Sequence, residues 1–137
     1  MHGSNLLDTS VTSEKIKSKI LVYGTCVPEE HLGVLEEFMD YSLFEVCMTT
    51  SSLEKIAWKL ATIIRVKDTK EIAALTMDGS PHCLQLHFAL ADLEEMFPRM
   101  KTKHYVTEKG VLRRVSERAV KTARHLYEVE GLCNATD

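Results

Sequence analysis

Three of the four cysteines in this 137-residue chain stand where an apolar, β-prone run gives out. Cys26 follows Ile20-Leu21-Val22-Tyr23 and the break Gly24-Thr25, Cys47 closes Leu43-Phe44-Glu45-Val46, and Cys83 ends the stretch Asp78-Gly79-Ser80-Pro81-His82-Cys83. Thiolates and imidazoles are soft ligands that suit zinc or an iron–sulfur cluster, and a thiolate is also the nucleophile of redox, sulfur-transfer and acyl chemistry. Cys133 lies near the C-terminus, in the setting of an incidental exposed thiol.

Cys83 carries the most specific signal. Asp78-Gly79 is ordinary turn chemistry, Ser80 suits an N-cap and Pro81 a first helical position, so Cys83 falls among the backbone N–H groups of a helix start. Such a position favours the thiolate and can hold an anion, with Gly79 and Ser80 shaping the loop around it. His82 would strengthen the effect when protonated, and Asp78 could orient His82 or act as a base. Cys83 and His87, four residues apart, project within about 40° of one another around a helix and can reach one metal ion, whereas His82 and His87 diverge by about 140°.

A metal site drawing on Cys26, Cys47, Cys83 and His87 must be assembled across three loops, because the chain has no CxxC pair. Each residue also has a purely structural reading. Cys47 suits core filling at a strand end, His87 suits a hydrogen-bonded core position, and His31 is solvated beside acidic neighbours. His104 and His125 carry less functional weight.

The elements that must position these residues alternate between strand and helix. Residues 20–23 read as a strand, and Pro28 starts a helix to about Asp40, with Leu32, Leu35 and Phe38 at helical spacing. Residues 43–48 form a second strand. Ser51 and Glu54 have the spacing of a capping box, ahead of the stripe Leu53, Ile56, Ala57, Leu60, Ile63 and Ile64. Residues 71–77 form a third strand, and the helix from Cys83 to Phe97 is apolar almost all round, as one covered on several sides or engaged in an oligomer would be.

Residues 103–107 and 111–115 read as a hairpin around Lys109-Gly110, and Ser116 caps a last helix that stops at Gly131. The order implies one α/β domain over 19–131 between a flexible leader, 1–18, and a frayed tail, 132–137. It should be a three-layer α/β/α sandwich, flavodoxin-like or Rossmann-like, whose mostly parallel sheet has four or five strands and an antiparallel edge hairpin. In such a sheet all the strand-to-helix loops open on one edge, where ligands bind.

Composition narrows the partners. A formal charge of −3 argues against a general nucleic-acid binder, and Arg113, Arg114, Arg118, Lys121 and Arg124 read as a solvated basic face. There is neither a membrane-length apolar run nor the order of a secretory signal, so the expected compartment is the cytoplasm, where thiols stay reduced. The loop Gly24-Thr25-Cys26-Val27-Pro28 has neither GxGxxG nor GxxxxGK[ST]. In size, and in a cysteine at the head of the helix after a middle strand, the chain resembles the small sulfur-relay proteins of the DsrE type, which implies thiol-based sulfur transfer.

Three functions follow as expectations. The first is a Cys/His site at the sheet edge that binds zinc or an iron–sulfur centre. The second is a thiol-based redox or sulfur-transfer enzyme with Cys83 as nucleophile. The third is a ligand-binding or subunit module, taking a small ligand or redox partner and pairing with a second copy through the third helix.

Overall fold

The computed structural model describes residues 3–31 and 33–134, so Leu32 of the expected first helix and residues 135–137 of the expected tail lie outside it. Strands β2 (Lys19–Gly24), β3 (Ser42–Val46), β4 (Glu71–Met77), β5 (Lys101–Glu108) and β6 (Val111–Val115) form one sheet, with a short β1 (Ser4–Asn5) at its edge. The order is β1-β3-β2-β4-β5-β6, parallel throughout except for the β5–β6 hairpin. This is the expected mostly parallel sheet with one antiparallel edge, but with six strands rather than four or five, because Ser4 and Asn5 add β1 beside β3.

Ile20, Leu21, Val22 and Tyr23 are all buried, because β2 is covered on both faces and has no solvent side to alternate with. One face carries Ile20, Val22, Phe44, Ile72 and Ala74, packed against α2 (Leu53–Lys67) and α3 (Pro81–Met96). The other carries Leu21, Tyr23, Ala73 and Leu75, packed with Val27 of α1 (Cys26–Glu30) and with Leu35 and Phe38 of a 3-10 helix over Val34–Phe38.

Along α2, Ile56, Leu60, Ile63 and Ile64 are buried as their spacing requires. Its N-cap is Ser52 rather than Ser51, with the Ser52 hydroxyl accepting from the Lys55 N–H at 3.4 Å and donating to the Glu54 carboxylate. The apolar circumference of α3 is explained by its neighbours, since it touches β4, β5, α2 and α4 (Glu117–Ala123).

Three local expectations are corrected. The first helix stops at Glu30, because Gly33 takes a left-handed conformation at φ 95° and the chain restarts as the 3-10 helix. The last helix is two, α4 and α5 (Leu126–Asn134), and α5 runs through Gly131 into the tail. The break falls where Arg124 makes two 3.0 Å bonds to Asp92 of α3 and lies over the Phe88 ring, tying the end of α4 to α3.

The leader is also packed. Ser4 and Asn5 pair in parallel with Phe44 and Glu45, the Gly3 N–H donates to the Tyr23 hydroxyl at 2.6 Å, and Leu6 is fully buried. Polar side chains of Asn5, Ser10 and Ser13 accept nearby backbone N–H groups, so a segment without apolar periodicity is held by local turns and by the two anchors Leu6 and Ile16.

Replacing Leu6 with Ala should therefore lower unfolding stability by about 2 to 4 kcal/mol in urea titration, as for a buried core leucine. A change within about 0.5 kcal/mol would mean that the segment does not hold the sheet edge.

Candidate functional site

The C-terminal ends of β2, β3 and β4 lie side by side, with Gly24 opposite Val46 and Tyr23 opposite Leu75. From β2 the chain goes to β3 on one side and later returns to β4 on the other, so this edge is the point at which the strand order reverses. The three cysteine-bearing loops meet here.

Gly24 faces the α3 side of the sheet. The sulfurs of Cys26 and Cys83 each lie 3.7 Å from the position that a Cβ on Gly24 would occupy, so at most twice that distance separates them. Cys26 is the first residue of α1 and half-buried, while Cys83 is buried. As the sequence predicts, Ser80 caps α3 with Pro81 next, and the Ser80 hydroxyl accepts the Cys83 N–H at 3.4 Å. Gly79 takes φ 86°, a turn conformation that a side chain would strain. Asp78 and His82 are exposed at the rim, and the Asp78 N–H is held by the Thr107 carbonyl at 3.0 Å.

The surroundings of Cys47 acidify its thiol. It sits half-buried just past β3, and its pKa is lowered to about 7 by the Thr50 hydroxyl and N–H, the Thr49 N–H and the Thr25 hydroxyl, which outweigh the effect of burial. Donors aimed at sulfur stabilise the thiolate because they have no equivalent role toward the protonated thiol. The geometry comes from the parallel ladder. The Thr25 N–H bonds the Val46 carbonyl at 3.0 Å, which sets Thr25 beside Cys47, and the Ser51 N–H bonds the Cys47 carbonyl at 2.9 Å, which folds Thr49 and Thr50 back over the sulfur.

His87 lies one turn further along α3, and both of its ring nitrogens are engaged within the core. Nε2 is 2.8 Å from the Thr76 hydroxyl and Nδ1 is 3.0 Å from Nδ1 of His104. Burial, and then the neighbouring His104, push the His87 pKa down to about 4, so the ring is neutral at physiological pH. His31 sits at the hairpin turn, with Nδ1 3.3 Å from where a Cβ on Gly110 would be. Among the described residues, no group of three or more His, Cys, Asp and Glu is placed to hold one metal ion. Of the residues singled out from sequence, Cys26 and Cys83 are thus brought together at Gly24, with Cys47 in its own ring of donors nearby.

The order β3-β2-β4-β5 and the meeting of loops at its reversal define a doubly wound α/β domain. Residues 15–135 match the family described as Rossmann-like domain, and the chain belongs to that family. No curated protein and no solved structure matches the chain. The loop after β2, Gly24-Thr25-Cys26-Val27-Pro28, lacks the glycine pattern known from dinucleotide-binding members of this fold class and leads into a five-residue helix. No helix among the described residues is long and apolar enough to cross a membrane.

Sequence reasoning gave Cys47 less weight than Cys83 and missed the donors Thr25, Thr49 and Thr50. The available signal was the polar run Thr49-Thr50-Ser51-Ser52 directly after a strand-end cysteine. Replacing Thr50 with Ala removes the largest of these donors. At pH 7 the alkylation of Cys47 by iodoacetamide should slow by roughly three- to tenfold, with the wild-type rate recovered at higher pH, as read by peptide mass spectrometry. An unchanged rate would show that the Thr50 hydroxyl does not support the thiolate.

Proposed function

We propose that the chain uses Cys47 as a reacting thiolate in redox or sulfur-transfer chemistry at the C-terminal edge of the sheet, with Cys26 and Cys83 as neighbouring thiol groups. The ring of donors around the Cys47 sulfur carries this reading. It makes Cys47 ionised in part at neutral pH while leaving it half-exposed, whereas Cys83, the nucleophile expected from sequence, is buried. A thiol near ambient pH in its pKa balances ionised fraction against intrinsic nucleophilicity.

In the sulfur-transfer form, the Cys47 thiolate attacks the outer sulfur of a small-molecule persulfide. A new S–S bond forms at Cys47, the donor's S–S bond breaks, and the donor leaves as a thiolate that takes up a proton from water. The redox form is the same displacement on the disulfide of a small thiol, giving a mixed disulfide. Cys47→Ser removes the nucleophile, and Cys83→Ser tests the alternative assignment.

A second reading, a zinc or iron–sulfur centre, is favoured by one observation, the approach of the Cys26 and Cys83 sulfurs on the same side of Gly24. These two soft ligands would anchor the centre and Cys47 or a histidine would complete it.

One experiment separates the readings. Protein purified anaerobically without an affinity metal is assayed for metal and acid-labile sulfide, then incubated with glutathione persulfide and mapped by mass spectrometry. The thiol reading predicts one added sulfur on Cys47, retained in Cys83→Ser and lost in Cys47→Ser. Near-stoichiometric metal that disappears in Cys26→Ser and Cys83→Ser would overturn it in favour of the metal centre. Unreactive thiols without metal would leave a ligand-binding or subunit module.

A further inference from the structure

A line of buried polar groups crosses from β4 through α3 to β5, apart from the Cys47 ring. Thr76, His87, His104 and Thr102 are buried, in a layer otherwise filled by Ile72, Ala74, Leu86 and Leu90. The Thr76 hydroxyl is 2.8 Å from His87 Nε2, His87 Nδ1 is 3.0 Å from His104 Nδ1, and His104 Nε2 is 3.4 Å from the Thr102 hydroxyl. Thr102 is bound to Glu94 twice, through its hydroxyl and through its N–H at 3.2 Å.

Hydrogen counting gives this line a direction. The Thr102 hydroxyl donates its one hydrogen to the Glu94 carboxylate, so from His104 it can only accept, and Nε2 of His104 carries hydrogen. Neutral His104 then has a bare Nδ1, which accepts from Nδ1–H of His87. His87 in turn has a bare Nε2, which accepts from the Thr76 hydroxyl. Every donor points toward Glu94, and each interior group has one hydrogen to pass on.

The two ends open on different pockets. Thr76 and His87 line one at the C-terminal end of β4, together with Asp78, Gly79 and Ser80. Glu94, Thr102 and His104 line another between α3, β5 and α4, rimmed by Glu95, Glu117 and Lys121. We infer that Thr76, His87, His104, Thr102 and Glu94 form a proton relay joining these two pockets, with Glu94 as the acceptor at its outer end.

Passage moves one proton without moving a heavy atom far. His87 takes a proton at Nε2 from the β4 pocket by way of the Thr76 hydroxyl, which is refilled from the pocket. His87 gives up the hydrogen on Nδ1 to Nδ1 of His104, His104 gives the one on Nε2 to Thr102, and Thr102 passes its own to Glu94. Glu94 becomes a carboxylic acid and releases the proton to solvent, and both imidazoles have exchanged tautomers. Burial, above all, disfavours a lasting charge on His104, with Glu94 drawing a proton toward it and Arg114 of β6 opposing this. Neither thiol nor metal is needed, so the relay stands apart from the chemistry proposed for Cys47.

The test is NMR of the full chain labelled with 15N-histidine. The relay predicts hydrogen on Nδ1 of His87 and on Nε2 of His104 at pH 7. It also predicts that solvent exchange of the His87 Nδ1 proton slows by about tenfold or more in Thr102→Val and in Glu94→Gln, because each removes a group that passes the proton on. Backbone amide exchange in β4 and α3 should stay at the wild-type rate, which a change in local opening would not allow. Glu94→Gln keeps the shape of the side chain and serves if Thr102→Val does not fold. The opposite tautomers, or His87 exchange unchanged in a folded variant, would overturn the relay.

Discussion

The parallel pairing of β2 between β3 and β4 is the constraint on which the rest of the molecule depends. Ile20 through Tyr23 are withdrawn from water on both faces, and backbone groups in that position must be satisfied by neighbouring strands. Parallel neighbours then force the chain to leave the sheet at one edge after β2, β3 and β4. Apolar burial in the first strand of the central pair thereby brings together polar residues that are distant in sequence, among them Thr25, Cys47 and the loop from Asp78 to Cys83.

The same sheet explains why polar groups survive in its interior. On β5, Thr102 and His104 share a face with the apolar residues under α3, where an unpaired imidazole or hydroxyl would cost more than it contributes. His87 on α3 stands across from them, Thr76 lies beside them on β4, and Glu94, two turns beyond His87, closes the line at the protein surface. A network with every member satisfied fixes the setting of α3 against the strands, so one set of residues both orders the core and connects two pockets.

Much of the fold was legible in sequence because its signals are local. Ser80-Pro81 announced the start of α3, the stripe from Leu53 to Ile64 announced the buried face of α2, and Lys109-Gly110 sits at the hairpin turn with both residues at positive φ. What escaped depends on partners elsewhere in the chain. Residues 3–18 lack periodicity yet dock through Leu6 on the edge of β3, and the end of α4 is set by a pair between Arg124 and Asp92 that no spacing rule reveals. At the site, the local cue of a cysteine near a helix start gave Cys83 its weight. The acidity of Cys47 comes mainly from Thr50 and Thr49 in the turn after it, with a smaller share from Thr25 just past the end of β2, and the approach of Cys26 to Cys83 needs the strand order itself. His104 was undervalued for the same reason, since its partner His87 lies across the layer on a helix.

A pH titration of the cysteine 13Cβ resonances in the folded protein reads directly whether the edge of the sheet holds Cys47 as a partly ionised thiol at neutral pH. With the threonine donors in place, the Cys47 signal shifts with a midpoint of about 7, thiolate increasing as pH rises through that value. A Cys47 midpoint at about 8.5, the ordinary value for an unperturbed cysteine, would contradict it.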